Sequence, residues 1–83
     1  MTILYFSWVR TRIGLDRETA APPPDLATLG QVRQWLAGLG PGHAAALAPD
    51  LPVRGAVNQE LATPDHPIRP GDEIAFFPLF SGG

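Results

Sequence analysis

Side chains that commonly do chemistry are few in this sequence, and they are scattered. Its two histidines, His43 and His66, each sit beside turn residues, and neither stands at ligand spacing from another metal-binding side chain. Both read as solvated loop histidines, and no metal is expected. Cysteine is absent, which removes the disulfide, the thiolate metal site and the thiol nucleophile together. No Gly-x-Ser-x-Gly elbow occurs, and without lysine no phosphate-binding Gly-x-x-x-x-Gly-Lys loop can be built. Asp72 and Glu73 are adjacent acids, but strand neighbours point to opposite faces, so the two cannot act as one acid/base pair. They read as a polar turn that opens a strand. No bound cofactor is expected.

The sequence closes on Gly82-Gly83, directly after Phe76-Phe77-Pro78-Leu79-Phe80-Ser81. At an average glycine frequency of about 7%, a terminal pair arises in roughly 0.5% of chains. Residues without a Cβ let the backbone thread a narrow channel and reach into another protein's active site. What such a segment delivers is the α-carboxylate of Gly83. Attack of that carboxylate on the α-phosphate of ATP gives an acyl adenylate, and a sulfur donor then displaces AMP to leave a thiocarboxylate. This chemistry needs no catalytic side chain on the carrier. Leu79 and Phe80 lie beyond the last expected strand, where so small a domain can hardly bury them, and exposed apolar residues beside a mobile tip read as a docking surface. The expected division is a folded domain over 1–78 and a flexible Gly-Gly tail over 79–83.

The elements that must carry this tail follow from periodicity. Thr2 to Trp8 alternates Ile3, Tyr5 and Ser7 with Leu4, Phe6 and Trp8, apolar on both sides, which predicts a central strand covered on both faces. Ser7 is expected to cap a helical turn over Trp8–Ile13 that Gly14 ends. Leu15–Ala21 is expected as an edge strand, stopped by Pro22-Pro23-Pro24. Thr28 is an N-cap for a helix in which Leu29, Val32, Leu36 and Leu39 form the apolar stripe, with Trp35 beside it and Arg33 and Gln34 off it. Gly38, Gly40 and Pro41 stop that helix, and His43–Ala48 offers one further turn. Leu51–Val57 is a third strand, Asn58-Gln59 a turn, Leu61-Ala62 a very short strand and Glu73–Pro78 the last strand. Because Phe76 and Phe77 are neighbours on a strand, one is expected in the core and the other at an interface. The order predicts an α+β roll of four to five mixed strands, the first and last parallel at the centre, with one main helix across them: a β-grasp, or ubiquitin-like, fold.

Composition bounds the rest. A chain of 83 residues is a single domain, and 45% apolar residues suffice for a core. Ten prolines and nine glycines, spread along the chain, read as turns and caps. All six basic residues are arginine and the net charge is −2, so no nucleic-acid partner is expected. No apolar run approaches the roughly 20 residues of a membrane span, and the N-terminus lacks a signal-peptide pattern. A soluble, cytoplasmic protein is expected.

Several segments resemble the small subunits of molybdopterin synthases, β-grasp sulfur carriers related to ubiquitin. They are Tyr5-Phe6-Ser7-Trp8-Val9-Arg10 with Ile13-Gly14, Val57-Asn58-Gln59, Asp65-His66-Pro67-Ile68, Gly71 through Pro78, and Gly82-Gly83. Tails of that family often read Phe-Phe-Pro-Pro, whereas here Leu79 replaces the second proline. The resemblance implies an adenylating enzyme that uses ATP and magnesium on Gly83, and a sulfurtransferase as sulfur source. It implies a large synthase subunit joined in a heterotetramer, which supplies the catalytic side chains and converts a cyclic pyranopterin monophosphate into the molybdopterin dithiolene. In those terms Gly83 reacts, Gly82 and Ser81 give passage, and Phe76, Phe77, Pro78, Leu79, Phe80 and Arg10 meet partners. Two other classes stay open: a carrier or protein modifier of another pathway, and a non-covalent β-grasp interaction domain.

Overall fold

The computed structural model of the chain describes residues 1–79. Among them eight elements follow in order: β1 (Thr2–Tyr5), α1 (Ser7–Ile13), β2 (Arg17–Thr19), α2 (Leu29–Ala37), α3 (Pro41–Leu47), β3 (Val53–Val57), β4 (Glu60–Ala62) and β5 (Glu73–Pro78). The strands form one mixed sheet in the order β2-β1-β5-β3-β4. β1 and β5 are parallel at its centre, with Ile3 opposite Ile74 and Tyr5 opposite Phe76, and the other pairings are antiparallel.

This register puts Ile3, Tyr5, Ile74, Phe76, Val53, Val57 and Ala62 on one face of the sheet, where all are buried. Leu29, Val32 and Leu36 of α2, Val9 of α1 and Ala46 and Leu47 of α3 complete the same core. Burying a large apolar side chain contributes about 1.5–3 kcal/mol, so this single cluster dominates folding.

Local signals account for most boundaries. The Thr28 hydroxyl accepts the Gln31 N–H while the Gln31 side chain accepts the Thr28 N–H, a reciprocal cap that fixes the start of α2. Gly14 ends α1 at φ 88°, where a Cβ is disfavoured, and its N–H returns to the Arg10 carbonyl at 2.8 Å. Asn58 and Gln59 join β3 to β4 with φ of 51° and 70°, the left-handed pair that suits a two-residue hairpin. Asn58 also donates to Asp72 at 3.0 Å and accepts the Glu73 N–H at 3.0 Å, so the hairpin tip is tied to the start of β5. Asp72 is thus a turn residue and Glu73 the first residue of a strand, as their types implied.

Several expectations need correction. β1 is covered on one face only: Ile3 and Tyr5 are buried, but Leu4 is half-buried and Phe6 is 48% exposed. Ser7 is not a cap; it is the first residue of α1, at φ 57°, and no side chain caps that helix. The edge strand is only Arg17–Thr19. Leu39 leaves the apolar stripe, 47% exposed, because α2 stops at Ala37. Pro41 does not merely stop α2; it opens α3 from the first helical turn, where its missing N–H costs nothing. In that turn a Cβ on Gly42 would lie 2.7 Å from the Arg12 carbonyl oxygen, so glycine sets the α1–α3 approach.

Candidate docking face and the root of the C-terminal segment

The second face of the sheet has no helix over it. Reading across the strands, one row runs Arg17, Leu4, Ala75, Ala56, Leu61. The next begins at Phe6, whose N–H donates to the Phe76 carbonyl at 3.1 Å, and continues through Phe77 to Arg54. Beyond it lies Leu79, whose N–H donates to the Pro52 carbonyl at 2.7 Å. The opposite end of the face is polar, with Thr19, Thr2 and Glu73 in register. The apolar part of this open face therefore lies toward the end at which β5 finishes.

Phe6, Leu61 and Leu79 are among the large apolar residues left exposed, and Leu61 is the most open of them at 62%. Phe77 is half-buried on the open face, while Phe76 is 1% exposed and stacks on Tyr5 in the core. Of the adjacent pair, Phe76 is thus the core residue. It has no surface to offer and supports Phe77 from the other side of the strand. Pro78 stays in the ladder opposite Val53. Arg10 is exposed on α1 and makes no side-chain hydrogen bond or ion pair among the described residues. Phe80, Ser81, Gly82 and Gly83 lie outside the described residues.

The electrostatics divide between rim and core. Arg17 and Arg54 flank the apolar rows, so the face carries positive charge at two borders. On the core side, Tyr5 Oη and His43 Nε2 both donate to Glu18 Oε2 at 2.7 Å, and His43 packs edge-on to the Tyr5 ring. His43 is therefore not a solvated loop histidine; it ties α3 to the sheet edge. Burial pushes the Glu18 carboxyl up, but the hydrogen bonds from His43 and Tyr5, with the His43 charge, together pull it below its ordinary value. Burial and the same carboxylate push the Tyr5 phenol up. No cluster of three or more histidine, cysteine, aspartate or glutamate residues that could hold a metal occurs among the described residues. No helix among them is long and apolar enough to cross a membrane.

Sequence reasoning located Leu79 and, without choosing between Phe76 and Phe77, one of that pair, but not Leu4, Phe6, Ala56 and Leu61, which share the face with them. Their signal was present only as alternation within single strands. Which alternate set is covered depends on where the helices land, and no local pattern states that.

A mixed sheet with parallel central strands, helices on one face and an apolar patch on the other defines a ubiquitin-like β-grasp protein. The chain belongs to the ThiS family, which it matches over residues 3–83. It is 41% identical to the molybdopterin synthase sulfur carrier subunit of Escherichia coli K12 over 81 residues, covering 98% of this chain and 96% of that one. It is 37% identical to the subunit of the same name from Haemophilus influenzae, covering 100% and 99%. Among solved structures it resembles SAMP1 from Haloferax volcanii, with a TM-score of 0.78, 25% identity, and 100% and 98% coverage. A Pyrococcus furiosus protein described as a molybdopterin converting factor subunit shares the fold, with a TM-score of 0.76, 20% identity and 93% coverage of each chain.

Proposed function

We propose that this chain is the sulfur-carrier subunit of a molybdopterin synthase. The observation that carries the reading is its likeness, over essentially the whole length, to two subunits of that name. The open sheet face supports it. An apolar patch that extends to Leu79 offers a partner a surface continuous with the segment that ends in Gly82-Gly83.

The chemistry follows from the carboxylate. An oxygen of the Gly83 α-carboxylate attacks the α-phosphorus of ATP, with magnesium, in an adenylating enzyme, and pyrophosphate leaves. The terminal sulfur of a sulfurtransferase persulfide displaces AMP to give an acyl disulfide, and a thiol reductant cleaves that disulfide, leaving a thiocarboxylate on Gly83. The charged chain then joins the large synthase subunit in a heterotetramer and gives its sulfur to a cyclic pyranopterin monophosphate on the way to the molybdopterin dithiolene. The catalytic side chains belong to the large subunit, and the carrier contributes docking and reach. Phe6, Phe77 and Leu79 make the apolar contacts, Arg17 and Arg54 meet acidic groups at the rim, Arg10 on α1 meets a partner outside that face, and Gly82 and Ser81 pass through the channel.

Intact mass after incubation with the adenylating enzyme, ATP, magnesium and a sulfur source tests this. The expected product is heavier by the difference between one sulfur and one oxygen atom, with the change mapping to Gly83. A chain lacking Gly82-Gly83 should stay unmodified. An unchanged mass for the intact chain would remove the sulfur-carrier reading and leave the interaction-domain reading in its place.

A further inference from the structure

We propose that Arg33 is a positioning residue for sulfur transfer: it fixes the root of the C-terminal segment through the carbonyls of the 47–53 connection. This rests on the carrier reading above. By helical spacing Arg33 was expected to fall off the apolar stripe of α2. Its guanidinium is half-buried, and four of its five N–H donors are engaged. Nε donates to the Leu47 carbonyl at 3.0 Å and Nη1 to Val53 at 3.1 Å, while Nη2 donates to Ala48 at 2.6 Å and to Leu51 at 3.1 Å. Leu47 is the last residue of α3 and Val53 the first of β3, so one side chain pins the whole connection between them.

Pro52 lies between two residues held in this way. Its carbonyl accepts the Leu79 N–H at 2.7 Å. On the other flank β1 has already turned into α1, and the Phe6 N–H to the Phe76 carbonyl is the last described bond from that side. Past Phe77 the described main-chain hydrogen bonds therefore come from the β3 side alone, and Pro52 provides the last of them before residue 80. The Leu79 side chain is 47% exposed and anchors little. The position of Leu79, the last described residue, thus depends on where the Pro52 carbonyl points, and that depends on Arg33.

The chemical type of the residue fits this task. A guanidinium presents five N–H donors in a rigid plane, which lets it serve several carbonyls at once. Lysine is a point charge on a flexible stem and cannot hold the same four in fixed directions. Misplacing reacting atoms by about 1 Å can cost on the order of a hundredfold in rate.

The test uses the full chain with a chemically prepared Gly83 thiocarboxylate, the large synthase subunit and the cyclic pyranopterin precursor. Two variants are compared with wild type: Arg33→Lys, and a semisynthetic chain whose Leu79 N–H is replaced by an ester oxygen. The second removes only the final bond and leaves Arg33 in place, so it decides the matter even if Arg33→Lys folds poorly. Each is expected to lower kcat about ten- to a hundredfold with KM within about twofold, since the docking face is unaltered. Combined, they should cost no more than either alone. In Arg33→Lys, exchange of the Leu79 amide should rise at least about tenfold while that of Ile74 stays unchanged. Wild-type kcat in the ester chain, or Leu79 exchange that rises only in step with Ile74, overturns the proposal. Failure of the wild-type thiocarboxylate to give up sulfur would instead sink the carrier reading, and the exchange result would still decide whether Arg33 holds the root.

Discussion

Phe76 and Phe77 are adjacent and chemically identical, yet they belong to different physical problems. Phe76 stacks on Tyr5 beneath the helices and is 1% exposed, while Phe77 lies half-buried on a face that no helix covers. Strand alternation alone separates them. The same division runs across the whole sheet. Ile3, Ile74 and Val57 on one side hold the domain together, while Leu4, Phe6, Leu61 and Leu79 on the other are apolar without serving the core. So small a domain gains nothing in solubility by leaving such residues open, so their placement is best explained by a partner.

The contrast is sharpest in stability. Phe76→Ala should cost about 3–5 kcal/mol, and Leu36→Ala about 2–5 kcal/mol, because both leave cavities in the single core. Either is a large share of the 5–15 kcal/mol typical of a domain. Phe77→Ala should cost about 1 kcal/mol or less by the same denaturant titration. Equal losses for Phe76→Ala and Phe77→Ala would mean that the open face is packed after all.

Binding should reverse the order. Phe77→Asp is expected to weaken association with the large synthase subunit by 2 kcal/mol or more, roughly thirtyfold, with little change in Tm. Titration calorimetry with the isolated partner measures it, and unchanged affinity would take Phe77 out of the interface.

How much of this could be read beforehand depends on the range of the interactions. The Thr28 cap, the Gly14 stop, the Asn58-Gln59 turn and the last strand were legible because each is decided within a few residues. The parallel pairing of the first and last strands followed from element order. What the chain alone did not disclose was decided by contacts distant in sequence. Leu4 and Ile3 are equally apolar, and only the position of α2 and α3 separates them. Arg33 lay off the stripe by helical spacing, yet its partners lie 14 to 20 residues away. His43 resembled a loop residue until Glu18, 25 residues earlier, came beside it. For the candidate site, Phe77 and Leu79 were legible as apolar residues near the tail, whereas Phe6 and Leu61 needed the strand register.

A smaller effect tests the core-side network. Glu18 has a folded-state value below its ordinary 4.5. A depressed carboxyl stabilises the fold above the unfolded value, and that contribution is lost as pH falls through the lower folded value. Wild type should therefore be more stable than Glu18→Gln at neutral pH, with the gap closing below about pH 4. Thermal melts across pH would show this, and a gap that widens on acidification would contradict the assignment. The smallest effect belongs to the rim of the open face. Arg54→Ala should change affinity for the large subunit by about 1 kcal/mol or less and act mainly on the association rate and its salt dependence. A salt-independent loss in stopped-flow binding would place Arg54 in a desolvated contact instead.

The most direct measurement of the division between a face that docks and an end that reacts is molybdopterin formation with chemically prepared thiocarboxylates, which bypasses activation. The intact chain is compared with one lacking Gly83, each carrying the thiocarboxylate on its final residue. Losing one residue shortens the reach by up to about 3.5 Å and leaves the open face untouched. The expected result is equal affinity for the large subunit and turnover lower by on the order of a hundredfold or more. Comparable turnover from the two chains would contradict the assignment of Gly83 as the sulfur-bearing end.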